Sequence, residues 1–302
     1  MSFKLTIVGS GSAVPTLKRG VTSQYLNFNE RRILIDCGEG TQLQLRKYRV
    51  RFQRLQYLFI SHLHGDHYLG IFGLLASMNL LGRTLKLKIF APADLRKIIE
   101  HQFSITGVKL DFDIEYHDLD YSEKTLIFED KIIEIYAFPL RHRIKCHGFL
   151  FKEKPKELNI NKEKIDEFDI TRAEIWSIKN GGDIERNGKI IKNVKLTLPS
   201  APLKQYAFCT DTKFYPKLAD WVKDVDLLYH EATFTEEQKD RAKATQHSTA
   251  KQAAEIAKRA NVKKLLLGHF SARFNSTSPL QTEAEAIFEN TVCVEDGDEF
   301  VI

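Results

Sequence analysis

The stretch Ile60-Ser61-His62-Leu63-His64-Gly65-Asp66-His67-Tyr68-Leu69-Gly70 sets three imidazoles and a carboxylate between two apolar runs. Residues 55–61 read as a strand and 68–81 as a helix, so the polar cluster falls on a strand-to-helix loop. Loops of this kind bring short side chains to one point. Neutral imidazole nitrogens and carboxylate oxygens are ligands of zinc, whereas a buried histidine or aspartate without a partner is costly. A lone His-x-His carries little information. His-x-His-x-Asp-His at a strand end points to a metal site.

The rest of the chain bounds what that site can belong to. At 302 residues and 43% hydrophobic content, the chain can build a large core. No apolar stretch approaches the roughly 20 residues that a membrane span requires, so no membrane association is expected. Residues 1–11 read as a short strand and a glycine turn, and no secretory leader is expected there. Cys37, Cys146, Cys209 and Cys293 are widely spaced and form no Cys-x-x-Cys pair, which fits reduced thiols in a cytoplasmic protein. The net charge of +5 leans toward an anionic partner.

Outward from the cluster, 4–8 reads as a strand followed by Gly9-Ser10-Gly11, which lacks the third glycine of a dinucleotide fingerprint. Residues 24–29 and 32–36 read as paired strands and 41–48 as a helix. Further strands are expected at 85–90, 125–128 and 132–138. Residues 152–199 are dense in charged residues and asparagine and show little periodicity, as in an inserted arm or a solvated loop. Alternation then resumes with strands at 205–209, 226–229 and 264–267 and a helix at 248–259. The chain closes with strands at 291–294 and 299–302 around an Asp296-Gly297 turn.

The cluster can hold one zinc or contribute to two, and a dinuclear site needs a bridging carboxylate and more histidines. His142, Asp211 and His269 each follow the end of an apolar run, as His62 and His64 do. Open α/β sheets gather ligands at strand ends, so these residues can converge, although each alone reads equally as a solvated loop residue. His230 and His247 are either proton-transfer groups or residues of no chemistry, His247 standing just ahead of a helix cap at Ser248.

These motifs together resemble the metallo-β-lactamase superfamily, and within it the ribonuclease Z family in its short form. The resemblance runs nearly the whole length. It is carried by I-D-C-G-E-G-T-Q-L-Q-L (35–45), S-H-L-H-G-D-H (61–67), P-L-R-H-R (139–143), Asp211-Thr212, H-E-A-T-F (230–234), H-S-T (247–249) and G-H-F-S-A-R-F (268–274). The metal motif is common to the superfamily, and the last three are the specific ones. The resemblance implies an αββα sandwich of two mixed sheets flanked by helices, one domain over 1–302, with 152–199 inserted as a protruding arm that binds tRNA. It implies two zinc ions per subunit, one held by His62, His64, His142 and Asp211 and the other by Asp66, His67, Asp211 and His269. Asp66 would orient or deprotonate the attacking water. Glu231 and His247 would form a relay in which His247 protonates the leaving oxygen.

The activity so implied is endonucleolytic removal of 3′ trailers from precursor tRNA after the discriminator nucleotide, leaving a 3′-hydroxyl. A homodimer is implied as well, and no DNA partner. Lys18 and Arg19, in P-T-L-K-R-G (15–20), and Arg273 are the expected phosphate contacts. Residues 46–54 interleave five cations with two aromatics, as RNA-binding surfaces do and as solvated basic faces do equally. The chain departs from the family in its arm, where the Gly-Pro signature is absent and I-W-S-I-K-N-G-G (175–182) stands, and at Cys209-Thr210-Asp211, where the usual glycine is replaced. Two rivals remain. One is another hydrolase of this fold acting on small phosphodiesters or thioesters, and the other is an RNA-binding module without catalysis.

Overall fold

The computed structural model describes residues 3–199 and 202–302; Met1 and Ser2, which open the segment read above as strand and turn, lie outside them. Its strands, in chain order, are β1 (Phe3–Gly9), β2 (Ser23–Phe28), β3 (Arg31–Ile35), β4 (Tyr57–Phe59), β5 (Leu87–Ala91), β6 (Ile114–Asp118), β7 (Thr125–Glu129), β8 (Ile133–Leu140), β9 (Cys146–Glu153), β10 (Ile184–Arg186), β11 (Lys189–Ile191), β12 (Gln205–Cys209), β13 (Leu227–Glu231), β14 (Lys264–Gly268), β15 (Thr291–Cys293) and β16 (Glu299–Val301). Two seven-stranded sheets result, ordered β16-β1-β2-β3-β4-β5-β6 and β15-β14-β13-β12-β9-β8-β7. In the first, β16, β1, β2 and β3 pair antiparallel and β3 to β6 parallel. In the second, β12 to β15 pair parallel.

Aromatic side chains join the two inner faces. Phe59 on β4 meets Phe149 and Phe151 on β9 edge-on at 5.2 and 5.6 Å. Phe149 stacks in turn on Phe208, and Phe208 on Tyr229 at 5.2 Å. Such pairs add about 0.5–1.5 kcal/mol each beyond the area they bury. Helices close the outer faces. Ile71, Leu74, Leu75 and Met78 cover the first sheet, and Ala253, Ala254, Ile256 and Ala257 the second.

Strand ends decide where side chains converge, and here the structure refines the expected boundaries. The helix expected over 68–81 is two, Gly65–Tyr68 and Ile71–Leu80. The break falls at Gly70, whose N–H bonds Cys37 O at 2.9 Å and where a Cβ would stand 2.1 Å from Gly38 O. The loop expectation therefore holds for His62 and His64, whereas Asp66 and His67 ride the first short helix. β13 runs through Glu231, so His230 and Glu231 are strand residues rather than followers of the strand. The cap expected at Ser248 is Thr249, which accepts from Gln252 N; the Ser248 hydroxyl donates to Thr212 O at 2.6 Å instead. β9 was not legible because it is buried on both faces and shows no alternation. The helices Asp94–Thr106 and Ser278–Glu285 also went unassigned.

The chain divides into two compact units, the second comprising 129–134 and 152–203. That unit carries three short helices (Lys162–Glu167, Arg172–Lys179, Asn193–Leu196) and the β10–β11 hairpin around Ile170, Ile178, Ile184 and Leu196. Elements of three to eight residues are too short to show a period. One signal was nonetheless readable: Thr171-Arg172-Ala173-Glu174 is a capping box, and both of its hydrogen bonds form.

Candidate active site

Four strand ends and one short helix of the first unit bring seven side chains together. His62 and His64 follow β4, His142 follows β8, Asp211 follows β12, and His269 follows β14; Asp66 and His67 come from the Gly65–Tyr68 helix. His62 Nε2 lies 3.0 Å from His64 Nδ1, which lies 3.1 Å from His142 Nε2. Asp211 Oδ2 completes this group at 3.5 Å from His62 Nε2 and 3.4 Å from His142 Nε2. The other oxygen, Asp211 Oδ1, faces His67 Nε2 at 3.3 Å and His269 Nε2 at 3.0 Å, and Asp66 Oδ2 stands 3.5 Å from both imidazoles. One carboxylate thus spans two sets of donors.

These donors fit divalent cations. Zinc takes nitrogen and oxygen at about 2.0–2.2 Å, and a tetrahedron of that radius has edges of about 3.3–3.6 Å. The spacings above lie at or slightly inside that edge. The protonation pattern agrees. His67 Nδ1 lies 2.7 Å from an oxygen of buried Asp36, and His142 Nδ1 lies 3.1 Å from the Gln246 carbonyl. Each imidazole donates outward there, which leaves a bare Nε2 facing the centre. The Nε2 atoms of His67 and His269 are buried and have no hydrogen-bond partner, an arrangement that is costly without a cation.

The charges press the same way. Burial opposes ionisation of Asp66 and Asp211, yet the facing histidines hold both carboxyls well below the usual carboxylate range. Burial likewise disfavours a charged His67, and Asp211, Asp66 and Asp36 overcome it and raise its basicity. Two carboxylates set among imidazoles make a donor cluster suited to a divalent cation.

A second constellation adjoins it. His247 Nδ1 meets Glu231 Oε1 at 2.9 Å, and Glu231 is fully buried at the end of β13. Burial alone would lower the His247 pKa, but the Glu231 carboxylate outweighs it and brings it up to about 9. Thr233 links the two constellations, since its hydroxyl lies 2.5 Å from Glu231 Oε2 and 2.9 Å from His269 Nδ1. His230, its neighbour on the strand, is buried with Nδ1 against the Glu231 carbonyl and takes no place in the cluster.

The centre opens into a cleft of about 470 Å³ lined by His64, Asp66, His142, Asp211, His247 and Arg273, among others. Arg273 is exposed there. Lys18 and Arg19 line a smaller neighbouring cavity of about 240 Å³. Lys18 is exposed, whereas Arg19 is engaged by Glu295 at 2.8 Å, by the Phe274 carbonyl and by the Phe270 ring. Several site residues had drawn no role from the sequence. Asp36 stood inside a quoted motif, but only the folded chain shows it gripping His67, and Thr233 likewise stood in H-E-A-T-F without a function. Ala13, whose N–H bonds Asp66 Oδ2 at 2.7 Å, carried no signal at all.

Two family models match the chain: one described as anti-Pycsar protein Apyc1 over residues 3–154, and one described as a β-lactamase superfamily domain over residues 165–270. A ribonuclease Z of Bacteroides thetaiotaomicron is 46% identical over 291 residues, covering 96% of this chain and 92% of that protein. A ribonuclease Z of Parabacteroides distasonis is 43% identical over 296 residues, covering 98% and 97% respectively. The crystal structure of human tRNase Z, short form, superposes with a TM-score of 0.72 at 25% identity, covering 98% of each chain. A long-form RNase Z from yeast shares the fold at a TM-score of 0.69 and 17% identity, over 99% of this chain and 42% of that one. The two mixed sheets flanked by helices are therefore the αββα sandwich expected of the metallo-β-lactamase fold. With identity this high over nearly its full length, the chain belongs to the ribonuclease Z family of the β-lactamase superfamily.

Proposed function

We propose that the chain is a zinc-dependent endoribonuclease that removes 3′ trailers from precursor tRNA by cutting after the discriminator nucleotide. The observation that carries this reading is the Glu231–His247 pair set beside a donor cluster bridged by Asp211. Hydrolysis of a phosphodiester needs both a nucleophile at neutral pH and a proton for the departing alkoxide, and the two constellations supply one each. We assign two zinc ions to the two donor sets, His62, His64, His142 and Asp211, and Asp66, His67, Asp211 and His269. Bound there, zinc supplies Lewis-acid charge that makes water nucleophilic near pH 7 and offsets charge on the phosphoryl oxygens.

The side chains divide the rest of the task. Asp66 Oδ2, held by the Ala13 N–H and facing His67 and His269, orients the attacking water. His247, kept cationic by Glu231, donates to the 3′ oxygen as the P–O bond breaks, which leaves a 3′-hydroxyl on the tRNA. Arg273 at the cleft and Lys18 beside it hold substrate phosphates, and Arg19 holds the loop that presents Lys18. We further assign residues 152–199 as the part that grips tRNA, and we infer a homodimer working in the cytoplasm. No helix among the described residues is long and apolar enough to cross a membrane.

The test is purified protein, with zinc counted by metal analysis, incubated with a 3′-extended precursor tRNA. A single cut just after the discriminator base is expected. Indifference to that RNA with turnover of a small phosphodiester or thioester would establish the rival hydrolase instead.

A further inference from the structure

Three arginines face the cleft, and the reaction as described uses only one of them. Arg143 lies in the loop after β8, next to His142; Arg241 lies on the helix Lys239–Thr245, six residues before His247; Arg273 lies in the loop after β14. All three are exposed and line the same cleft as the metal donors. None has a carboxylate partner among the described residues, whereas Arg19, which lines the neighbouring cavity, is paired with Glu295. Arg241 is further steadied by the Phe234 ring, 6.0 Å from its guanidinium carbon. Together they bring positive charge from three separate segments to one cleft, a lining that attracts an anionic ligand.

One phosphate does not account for all three. The scissile group would sit at the donor cluster, where bound cations and His247 would meet its charge. We propose that Arg143 and Arg241 bind the phosphates on either side of the scissile one, so that the cleft is built for a continuous polynucleotide strand rather than for a small phosphodiester. This deepens the ribonuclease reading and rests on it for the identity of the strand. A guanidinium fork meets phosphate oxygens through two charge-assisted hydrogen bonds and reads no base, which suits trailers of any sequence. Arg143, next to His142 in the chain, and Arg241, on the helix Lys239–Thr245, reach the cleft from separate segments, as contacts to successive phosphates require.

The experiment compares substrates of graded length within each protein. Wild type, Arg143→Ala, Arg241→Ala and Arg241→Lys are assayed with zinc on a dinucleotide carrying a single phosphodiester, on single-stranded oligonucleotides with one or two flanking phosphates, and on precursor tRNA, at several salt concentrations. Wild type is expected to gain in kcat/KM as flanking phosphates are added. Each alanine variant should lose about tenfold or more of that gain. Its salt slope should be shallower by about 0.7 per contact removed. Arg241→Lys should recover part of the salt slope and less of the rate, since an ammonium keeps the charge without the fork. A gain with added phosphates that is the same in variants and wild type overturns the proposal. So does a variant whose deficit is as large on the dinucleotide as on longer strands, since that marks a structural role. Failure of wild type to cut precursor tRNA while the length-dependent gain persists and drops in the variants sinks the tRNA reading and supports the flanking-phosphate one.

Discussion

At the scale of single residues, the site is built partly on strained backbone. Ala13, Asp36, Gln246 and His269 all hold left-handed backbone, with φ between 56° and 61°. Such a conformation costs about 1–3 kcal/mol for a residue with a side chain. Each of the four touches the centre: Ala13 through its N–H on Asp66, Asp36 through its carboxylate on His67, Gln246 through its carbonyl on His142, and His269 as a donor itself. The strain is tolerated because it aims these groups. The same reasoning makes Glu231 a positioning residue for His247 rather than a participant. His247 is competent as a donor only while protonated, and Glu231 raises its pKa, so the competent state persists to higher pH than burial alone would allow. Glu231→Gln is therefore expected to shift the alkaline limb of the rate–pH profile downward by roughly one unit or more. An unmoved alkaline limb in that variant would show that His247 is not the group lost there. His247→Ala is expected to lower kcat about 10²–10⁴-fold, and to lower the melting temperature as well, since buried Glu231 loses a partner.

At the scale of elements, β13 shows how a local pattern misleads. Residues 226–229 read as the strand and His230-Glu231 as its polar sequel, because a carboxylate in a buried strand is unfavourable on its own. The carboxylate is tolerated inside because Thr212 N, Thr233 and His247 satisfy it. In the second unit the legible and illegible parts reverse. Its composition fits an inserted arm or a solvated loop, and Arg186 pins it together by bonding both oxygens of Glu174 at 2.7 Å and the carbonyls of Phe168 and Asp169. The Arg186 hydrogen bonds, followed by those from Thr171, bring the Glu174 pKa down to about 2. A depressed carboxylate pKa contributes stability that is full above the unfolded value and is lost as pH falls toward the folded one. Arg186→Ala is expected to speed proteolytic cleavage within 152–199 at pH 7, while in the wild type the protection should fade between about pH 4 and 2. Equal cleavage of variant and wild type would show that the pair does not hold the unit together.

For the whole molecule, the metal donors come from both sheets. His62, His64, Asp66 and His67 follow β4 of the first, and His142, Asp211 and His269 follow strands of the second. A cation bound there would tie together loops that follow interior strands of both sheets. Binding to the folded state alone stabilises by about 2.7 kcal/mol at a hundredfold excess over Kd. Chelation is therefore expected to lower the melting temperature by several degrees, with recovery on adding zinc; an identical melting curve with and without chelator would argue against a metal in this cluster. The sequence by itself determined the donor types, because only a few side chains can bind zinc and His-x-His-x-Asp-His is dense in them. It also determined the family, because H-E-A-T-F, H-S-T and G-H-F-S-A-R-F persist as contiguous words. Only the tertiary structure decided which oxygen of Asp211 faces which donors, that Asp36, Thr233 and Ala13 support the centre, that Arg19 is already engaged, and that Arg143 and Arg241 share one cleft. These are relations between residues far apart in the chain, and a strand pattern records how a residue sits on its own element, never what the next element brings to meet it.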